Sequence, residues 1–235
     1  MINLDNTKFE YYLTGIFEGS DNIYINKYNI NILFNLYDLP LVLKIQDNLG
    51  EGKITRERGK NAYKLTINRK KMIDILNGKI RTSKYDILID LNKTPLESTS
   101  WLAGYIEANG KFIIRVDNHS ENIECRLELK ILKDISNISL IKDISNLLKT
   151  SISENNKYYI IRTKNIESNS ILESYLTKYP LFSKKYLDYK DWLNVFNAIK
   201  NQESIENKKY IANIMRARMN ENRKIFNWDH LKYLY

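Results

Sequence analysis

Apolar and polar residues alternate with a period of two in NIYINKYNINILFNL (22–36), where Ile30, Ile32 and Phe34 are flanked by Asn29, Asn31 and Asn35. This predicts an extended run with one face in a core. LPLVLKIQDNLG (39–50) then changes to helical spacing and stops at Gly50. GKITRER (52–58) and AYKLTINR (62–69) read as short strands around Gly59-Lys60-Asn61, and KKMIDILNG (70–78) as a short helix ending at Gly78. RTSKYDILIDLN (81–92) reads as a further helical piece.

The order then recurs. KFIIRVDN (111–118) and IECRLELKIL (123–132) alternate as strands, and ISLIKDISNLLKT (138–150) is an amphipathic helix. SISEN (151–155) and YYIIRTK (158–164) form a hairpin about Asn155-Asn156. IESNSILESYLTKYP (166–180) is a helix stopped by Pro180. Beyond Leu181 the chain is helical and charged, with Trp192, Phe196 and Ile199 at core spacing. The predicted class is α+β: αββαββα written twice, with two antiparallel four-stranded sheets forming a saddle about a pseudo-two-fold axis. The expected organisation is 1–95, 96–180 and a helical extension, 181–235, packed on the second half. The only candidate joint is Asn92-Lys93-Thr94-Pro95, and no Gly/Ser linker separates the halves.

One motif opens each copy: LTGIFEGSD (13–21) and LAGYIEANG (102–110). On a helix, Gly15 and Gly19 share a face, as do Gly104 and Ala108. A stripe without side-chain bulk lets two helices pack with their backbones close, which offsets the cost of about 1 kcal/mol for glycine in a helix interior. The repeated positions are therefore packing positions.

The chain has 235 residues, 43% apolar and 28% charged, an ordinary globular composition, and its apolar runs are too short to span a membrane. A formal net charge of +9 points to a polyanionic partner, most often nucleic acid. Lys27, Lys53, Arg56, Arg58, Lys60, Lys64, Lys111, Arg115, Arg126, Lys130, Lys157, Arg162 and Lys164 lie in or beside the predicted strands, interleaved with Asn and Tyr. Lys and Arg neutralise phosphates, Arg reads guanine edges and Asn reads adenine edges. Cys125 is the only cysteine and sits in an alternating run; with His119 and His230 it is too little for a zinc site. Asn, Ile, Lys and Tyr are crowded while Pro, Ala and Gly are scarce, the bias of an AT-rich genome such as an organelle's. With no import presequence at MINLDNTKFE, this predicts a protein made inside an organelle.

The duplicated motif, the doubled αββαββα order and the basic strands resemble the LAGLIDADG homing endonucleases and their maturase relatives. FSKKYLDYKDW (182–192) and MNENRKIFNWDHL (219–231) resemble segments of its single-chain fungal mitochondrial members. That likeness implies that the organelle is the mitochondrion and the place its matrix. The resemblance implies an acid at the eighth motif position, one per helix, holding divalent metals between the scissile phosphates. Here those positions are Ser20 and Asn109. A hard cation wants anionic oxygens, and neither residue supplies one. Asp21, one residue late, and Glu18 and Glu107, two residues early, are the acids that could substitute. Lys84 and Lys185, in SKY and SKKY, resemble the family's basic residues beside the metals.

The expectation is therefore a catalytically inactive LAGLIDADG-type protein with no cofactor and no metal, monomeric and off the membrane. Its implied partner is structured RNA, either as an intron maturase or as a subunit of a ribonucleoprotein such as the mitochondrial ribosome, alongside that particle's proteins. The alternative is an active Mg²⁺-dependent endonuclease that cleaves double-stranded DNA with an atypical site.

Overall fold

The computed structural model describes residues 4–82, 91–117, 122–134 and 137–235. His119, Lys84 and most of the helical piece expected over 81–92 lie outside the described residues. The order is α1 (Leu4–Gly19), β1 (Ile23–Ile25), β2 (Asn29–Asn35), α2 (Leu39–Leu49), β3 (Lys53–Arg56), β4 (Ala62–Asn68) and α3 (Arg69–Leu76). The second copy runs α4 (Trp101–Asn109), β5 (Gly110–Val116), β6 (Ile123–Leu132), α5 (Ile138–Leu147), β7 (Ile152–Glu154), β8 (Tyr158–Arg162) and α6 (Ile166–Lys178). Helices α7 (Lys184–Lys200) and α8 (Ile205–Arg218) follow. All sheet pairings are antiparallel, with strand orders β1-β2-β4-β3 and β5-β6-β8-β7, so both copies share one topology.

The chain divides into two compact units. The first comprises Met1–Ala108, Phe182–Lys184 and Asn227–Tyr235; the second comprises Asn109–Leu181 and Lys185–Phe226. Helix α4 opens the second repeat in sequence but packs within the first unit.

In the first unit, strand alternation puts Ile30, Ile32, Leu65 and Ile67 on one buried face. Helix α2 covers them. Pro40 sits in its first turn, where a missing N–H costs nothing, and Gly50 ends it at φ +70, a left-handed cap that suits glycine. Its Leu41, Val42, Ile45 and Leu49 are buried at helical spacing, each contributing about 1.5–3 kcal/mol on leaving water. Helix α3 is capped by the Asn68 side chain, which accepts from the N–H groups of Lys70 and Lys71, and packs on α1 and β4.

Helices α1 and α4 meet backbone to backbone. A β-carbon on Gly15 would stand 2.0 Å from the Trp101 carbonyl oxygen, and one on Gly19 would stand 3.0 Å from the Ala108 β-carbon. Only glycine fits at Gly15 and Gly104, so the motif's small residues set how closely the two helices approach.

In the second unit, Phe112 packs against Tyr189 and Trp192, and Trp192 stacks on Phe196. The chain after α8 is tied to α7 by buried charge. Arg223 bonds Asp188 at 2.9 Å and also Asp191, which pairs with Arg218 as well. Asn220 donates to the Phe112 carbonyl at 3.3 Å. Cys125 is a buried core residue of β6 whose thiol burial pushes up to about 12, as expected for an inert structural cysteine.

Candidate functional site

Ser20 follows the last turn of α1. Its N–H donates to the Ile16 carbonyl at 3.1 Å, and its hydroxyl accepts from the Asn22 N–H at 3.2 Å. Asn109 is the last residue of α4, and its amide oxygen accepts from the Lys130 N–H at 3.4 Å. Both eighth-position side chains are neutral oxygen donors that already accept backbone hydrogen bonds. Asp21 is exposed beyond the helix end.

The sixth-position acids have a different task. Glu18 is buried and accepts from the Arg81 N–H at 2.9 Å, the Thr82 N–H at 2.7 Å, the Thr82 hydroxyl at 2.8 Å and the Trp101 indole N–H at 2.7 Å. Burial pushes its carboxyl up to about 7, against the downward pull of those hydrogen bonds. Glu107 is buried likewise and accepts from the Tyr12 hydroxyl at 2.9 Å, the Ser183 N–H at 3.0 Å, the Phe182 N–H and the Ser183 hydroxyl. Burial and the Glu107 charge hold the Tyr12 hydroxyl well above its usual range, so it stays a donor. Each carboxylate thus grips the chain beside one SK phrase: Thr82 precedes Ser83-Lys84, and Ser183 precedes Lys184-Lys185. The Lys184 N–H is held by Asp38 at 2.7 Å, and Lys185 is half-buried on α7.

A divalent cation at the helix ends would need anionic oxygens. Among the described residues no group of three or more His, Cys, Asp or Glu side chains could hold a metal. The eighth-position donors are a hydroxyl and an amide, and the sixth-position carboxylates are engaged by backbone and side-chain donors. The residues present do not fit such a cation.

Strand register sorts the basic residues by face. In the first sheet the face opposite the core carries Tyr24, Asn31, Thr66 and Lys53 in one row and Leu33, Lys64 and Thr55 in the next, with Asn29 and Asn68 beyond. Lys64 there pairs with Glu57 at 3.1 Å. Arg56 falls in register with Tyr63 and Phe34, on the core-side parity, with its guanidinium 5.5 Å from the Tyr63 ring. Lys27, Arg58 and Lys60 are exposed in the turns, and Lys60 lies 5.6 Å from the Tyr24 ring. In the second sheet the open face joins Lys111, Glu128 and Arg162 in one row, Ile113 with Arg126, Arg115 with Glu124, and Lys130 with Ile160 and Ser153. Lys164 is exposed just past β8.

The two open faces differ in chemistry. The first is mainly amide and hydroxyl. The second is a charge lattice: Glu128 bonds Arg162 at 2.6 Å and lies 3.7 Å from Arg126 and 3.5 Å from Lys130, while Arg126 also meets Glu124 at 3.2 Å. Burial acts to raise the Glu128 carboxyl, but the bond and charge of Arg162, with Lys130 and Arg126, hold it below the usual carboxylate range. Sequence reasoning named the cations and missed these two acids. The signal was present in IECRLELKIL, where Glu124, Arg126, Glu128 and Lys130 share one parity.

Residues 102–196 match the family model described as LAGLIDADG endonuclease. The whole chain aligns at 26% identity with the intron-encoded DNA endonuclease aI3 of Saccharomyces cerevisiae, over 75% of that protein. At 27% identity, 86% of it aligns with 69% of an uncharacterized cox1 intron-2 protein of Schizosaccharomyces pombe. The fold matches the I-LtrWI LAGLIDADG homing endonuclease bound to target DNA with a TM-score of 0.73 and 15% identity, over 93% of this chain and 100% of that one. It matches I-GzeII in complex with its DNA target with a TM-score of 0.71 and 16% identity, over 92% and 99%.

Over residues 102–196 the chain is similar to the LAGLIDADG endonuclease family, and its fold is that of LAGLIDADG homing endonucleases.

Within this LAGLIDADG-like chain the motif splits by position. The third and seventh residues make the helix contact, the sixth fastens neighbouring chain, and the eighth is neutral in both copies. The α+β architecture of two four-stranded sheets is that of the LAGLIDADG homing endonucleases.

Proposed function

We propose that this LAGLIDADG-like protein binds nucleic acid through its sheets without hydrolysing it, and that its ligand is structured RNA of a mitochondrial intron. One observation carries the loss of cleavage: the two positions where the family's chemistry needs acids are Ser20 and Asn109, and the acids beside them, Glu18 and Glu107, are consumed by backbone N–H groups and hydroxyls. Phosphodiester hydrolysis by bound metals needs charge at that point to hold the ions. Binding needs no such charge. The open sheet faces still carry Lys53, Lys111, Arg115, Lys130 and Arg162 for phosphates and base edges, whereas Arg126 is buried against Glu124 and Glu128. Stabilising a folded intron is an activity that binding alone supports.

Intron-encoded relatives in fungi, one from a cox1 intron, support the mitochondrial setting, as does the AT-rich composition.

The test uses purified full-length protein. With Mg²⁺ or Mn²⁺ it leaves a randomised double-stranded DNA library uncut, and crosslinking in the native organelle recovers intron RNA. Its affinity falls steeply as salt rises. Metal-dependent cutting of the library at defined sites would overturn the reading in favour of an atypical active endonuclease.

A further inference from the structure

We propose that the groove at the tip of the β1–β2 hairpin binds one unpaired nucleotide of RNA, with its base on Tyr28 and its phosphate among Lys27, Arg69 and Lys70. The inference rests on the RNA reading above and adds a site that reading does not contain.

The groove is open, about 430 Å³ in volume, and lined by Lys27, Tyr28, Asn68, Arg69, Lys70 and Ile73. That volume falls within the roughly 300–1,000 Å³ of small-ligand pockets. Its walls are fixed. Asn26 Oδ1 accepts from the N–H groups of Tyr28 at 2.9 Å and Asn29 at 2.8 Å, and the Arg69 N–H donates to the Tyr28 carbonyl at 2.8 Å. These bonds pin the backbone of Tyr28 to the turn on one side and to the start of α3 on the other. The residue nonetheless stands 68% exposed. A tyrosine held rigidly with its ring in water does little for the core, yet it is preorganised as a stacking platform.

The charges complete the picture. Lys27, Arg69 and Lys70 have no ion-pair partner among the described residues, in contrast to Lys64, Arg126 and Arg162 on the sheet faces. Lys27 Nζ lies 5.4 Å from the Tyr28 ring centroid, so cation and ring adjoin. Free cations alone would suit any phosphate. Cations beside an exposed ring, with Ile73 as the apolar floor, suit a phosphate that carries a base. A duplex offers base edges in its grooves but hides the base faces in its stack; only an unpaired base can lie on a ring. A related asparagine-held turn with an adjoining lysine and tyrosine occurs at a different hairpin, β7–β8. Asn155 Oδ1 accepts from the Lys157 N–H at 2.9 Å and the Tyr158 N–H at 2.8 Å, and Lys157 Nζ lies 5.3 Å from the Tyr158 ring centroid.

The experiment measures full-length protein, at one fixed salt concentration, against a short RNA duplex that is blunt or carries a five-nucleotide single-stranded tail. A matching duplex with a deoxynucleotide tail is the third probe. The tail tightens binding by the wild type. Tyr28→Ala loses that gain, about tenfold, while Tyr28→Phe keeps it and the blunt duplex is unaffected by either change. The triple variant Lys27→Ala, Arg69→Ala, Lys70→Ala flattens the salt dependence on tailed RNA by a log–log slope of about 0.7, the value for one phosphate of a single strand. Three results would overturn the site: Tyr28→Ala binding tailed RNA like the wild type, Tyr28→Ala weakening tailed and blunt duplexes equally, or an equal Tyr28-dependent gain from the deoxynucleotide tail. In all three the wild type still binds RNA, so the functional reading survives; a wild type that binds no RNA ends that reading itself.

Discussion

Gly104 lies against the carbonyl group of Tyr12: a β-carbon on that glycine would stand 1.9 Å from the Tyr12 oxygen and 2.9 Å from the Ile16 nitrogen. Backbone atoms cannot move aside as a flexible side-chain end can. Gly104→Ala should therefore push α4 off α1 and cost about 3 kcal/mol, in the upper range for overpacking. Gly15→Ala, whose β-carbon would meet the Trp101 oxygen, should cost about as much. Thermal unfolding followed by circular dichroism checks this. A melting temperature within a degree or two of wild type in both variants would contradict so close a contact.

The neutral eighth positions predict a gain of function. Calorimetry with Mn²⁺ should register no uptake at the helix ends of the wild type, and uptake should appear once Ser20→Asp and Asn109→Asp are combined. The carboxylates supply the anionic oxygens that a hard cation prefers. An isotherm identical to wild type in the double variant would mean that the motif ends are not where the metals sat.

The charge lattice of the second sheet predicts where binding energy lies. Arg115 is exposed in register with Glu124, and Arg162 is bonded to Glu128. Reversing both to Glu should weaken nucleic-acid binding at least tenfold and reduce the salt slope by about 2, about one per phosphate contact. Lys142→Glu, an exposed change on α5, should stay within about twofold, in line with the small effects of isolated surface charges. Filter-binding titrations across a salt series decide it, and equal losses would move the binding face off the strands.

Glu18 predicts a pH dependence of stability. Its folded-state carboxyl is raised from about 4.5 to about 7, so the folded chain holds a proton that the unfolded chain releases. The contribution is fully present below about pH 4.5 and is lost as pH rises through about 7, amounting to about 3 kcal/mol. His230, lowered by burial, has the opposite sign. Comparing wild type with Glu18→Gln isolates the Glu18 component: denaturant midpoints measured from pH 4.5 to 8 should fall more steeply for the wild type. Parallel curves would show that Glu18 has the same pKa folded and unfolded.

Much of the architecture was legible because alternation and helical spacing are local. Ile30, Ile32 and Phe34 declared a strand, and Gly50 declared a helix end. The single extended run over 22–36 instead turns at Asn26-Lys27-Tyr28, because the Asn26 side chain caps the turn by accepting two backbone N–H groups. Helix α1 begins at Leu4, well before its motif. The paired glycines were legible, since only a close contact explains two stripes in register. The sorting of cations was not, because charge composition says nothing of parity: Arg56 and Lys53 lie three residues apart and so face opposite sides of one strand. The tasks of Glu18 and Glu107 were hidden for another reason. Their donors at Arg81, Thr82, Phe182 and Ser183 are distant in sequence, and backbone N–H groups leave no mark on residue identity.

The buried carboxylates Glu18 and Glu107 have a consequence for the helix ends. Because they fasten neighbouring chain without using the eighth motif positions, neutral residues can stand at Ser20 and Asn109 without endangering the architecture. Such a chain keeps a foldable gripping surface whether or not it cuts, open to recruitment by whatever polymer it meets next.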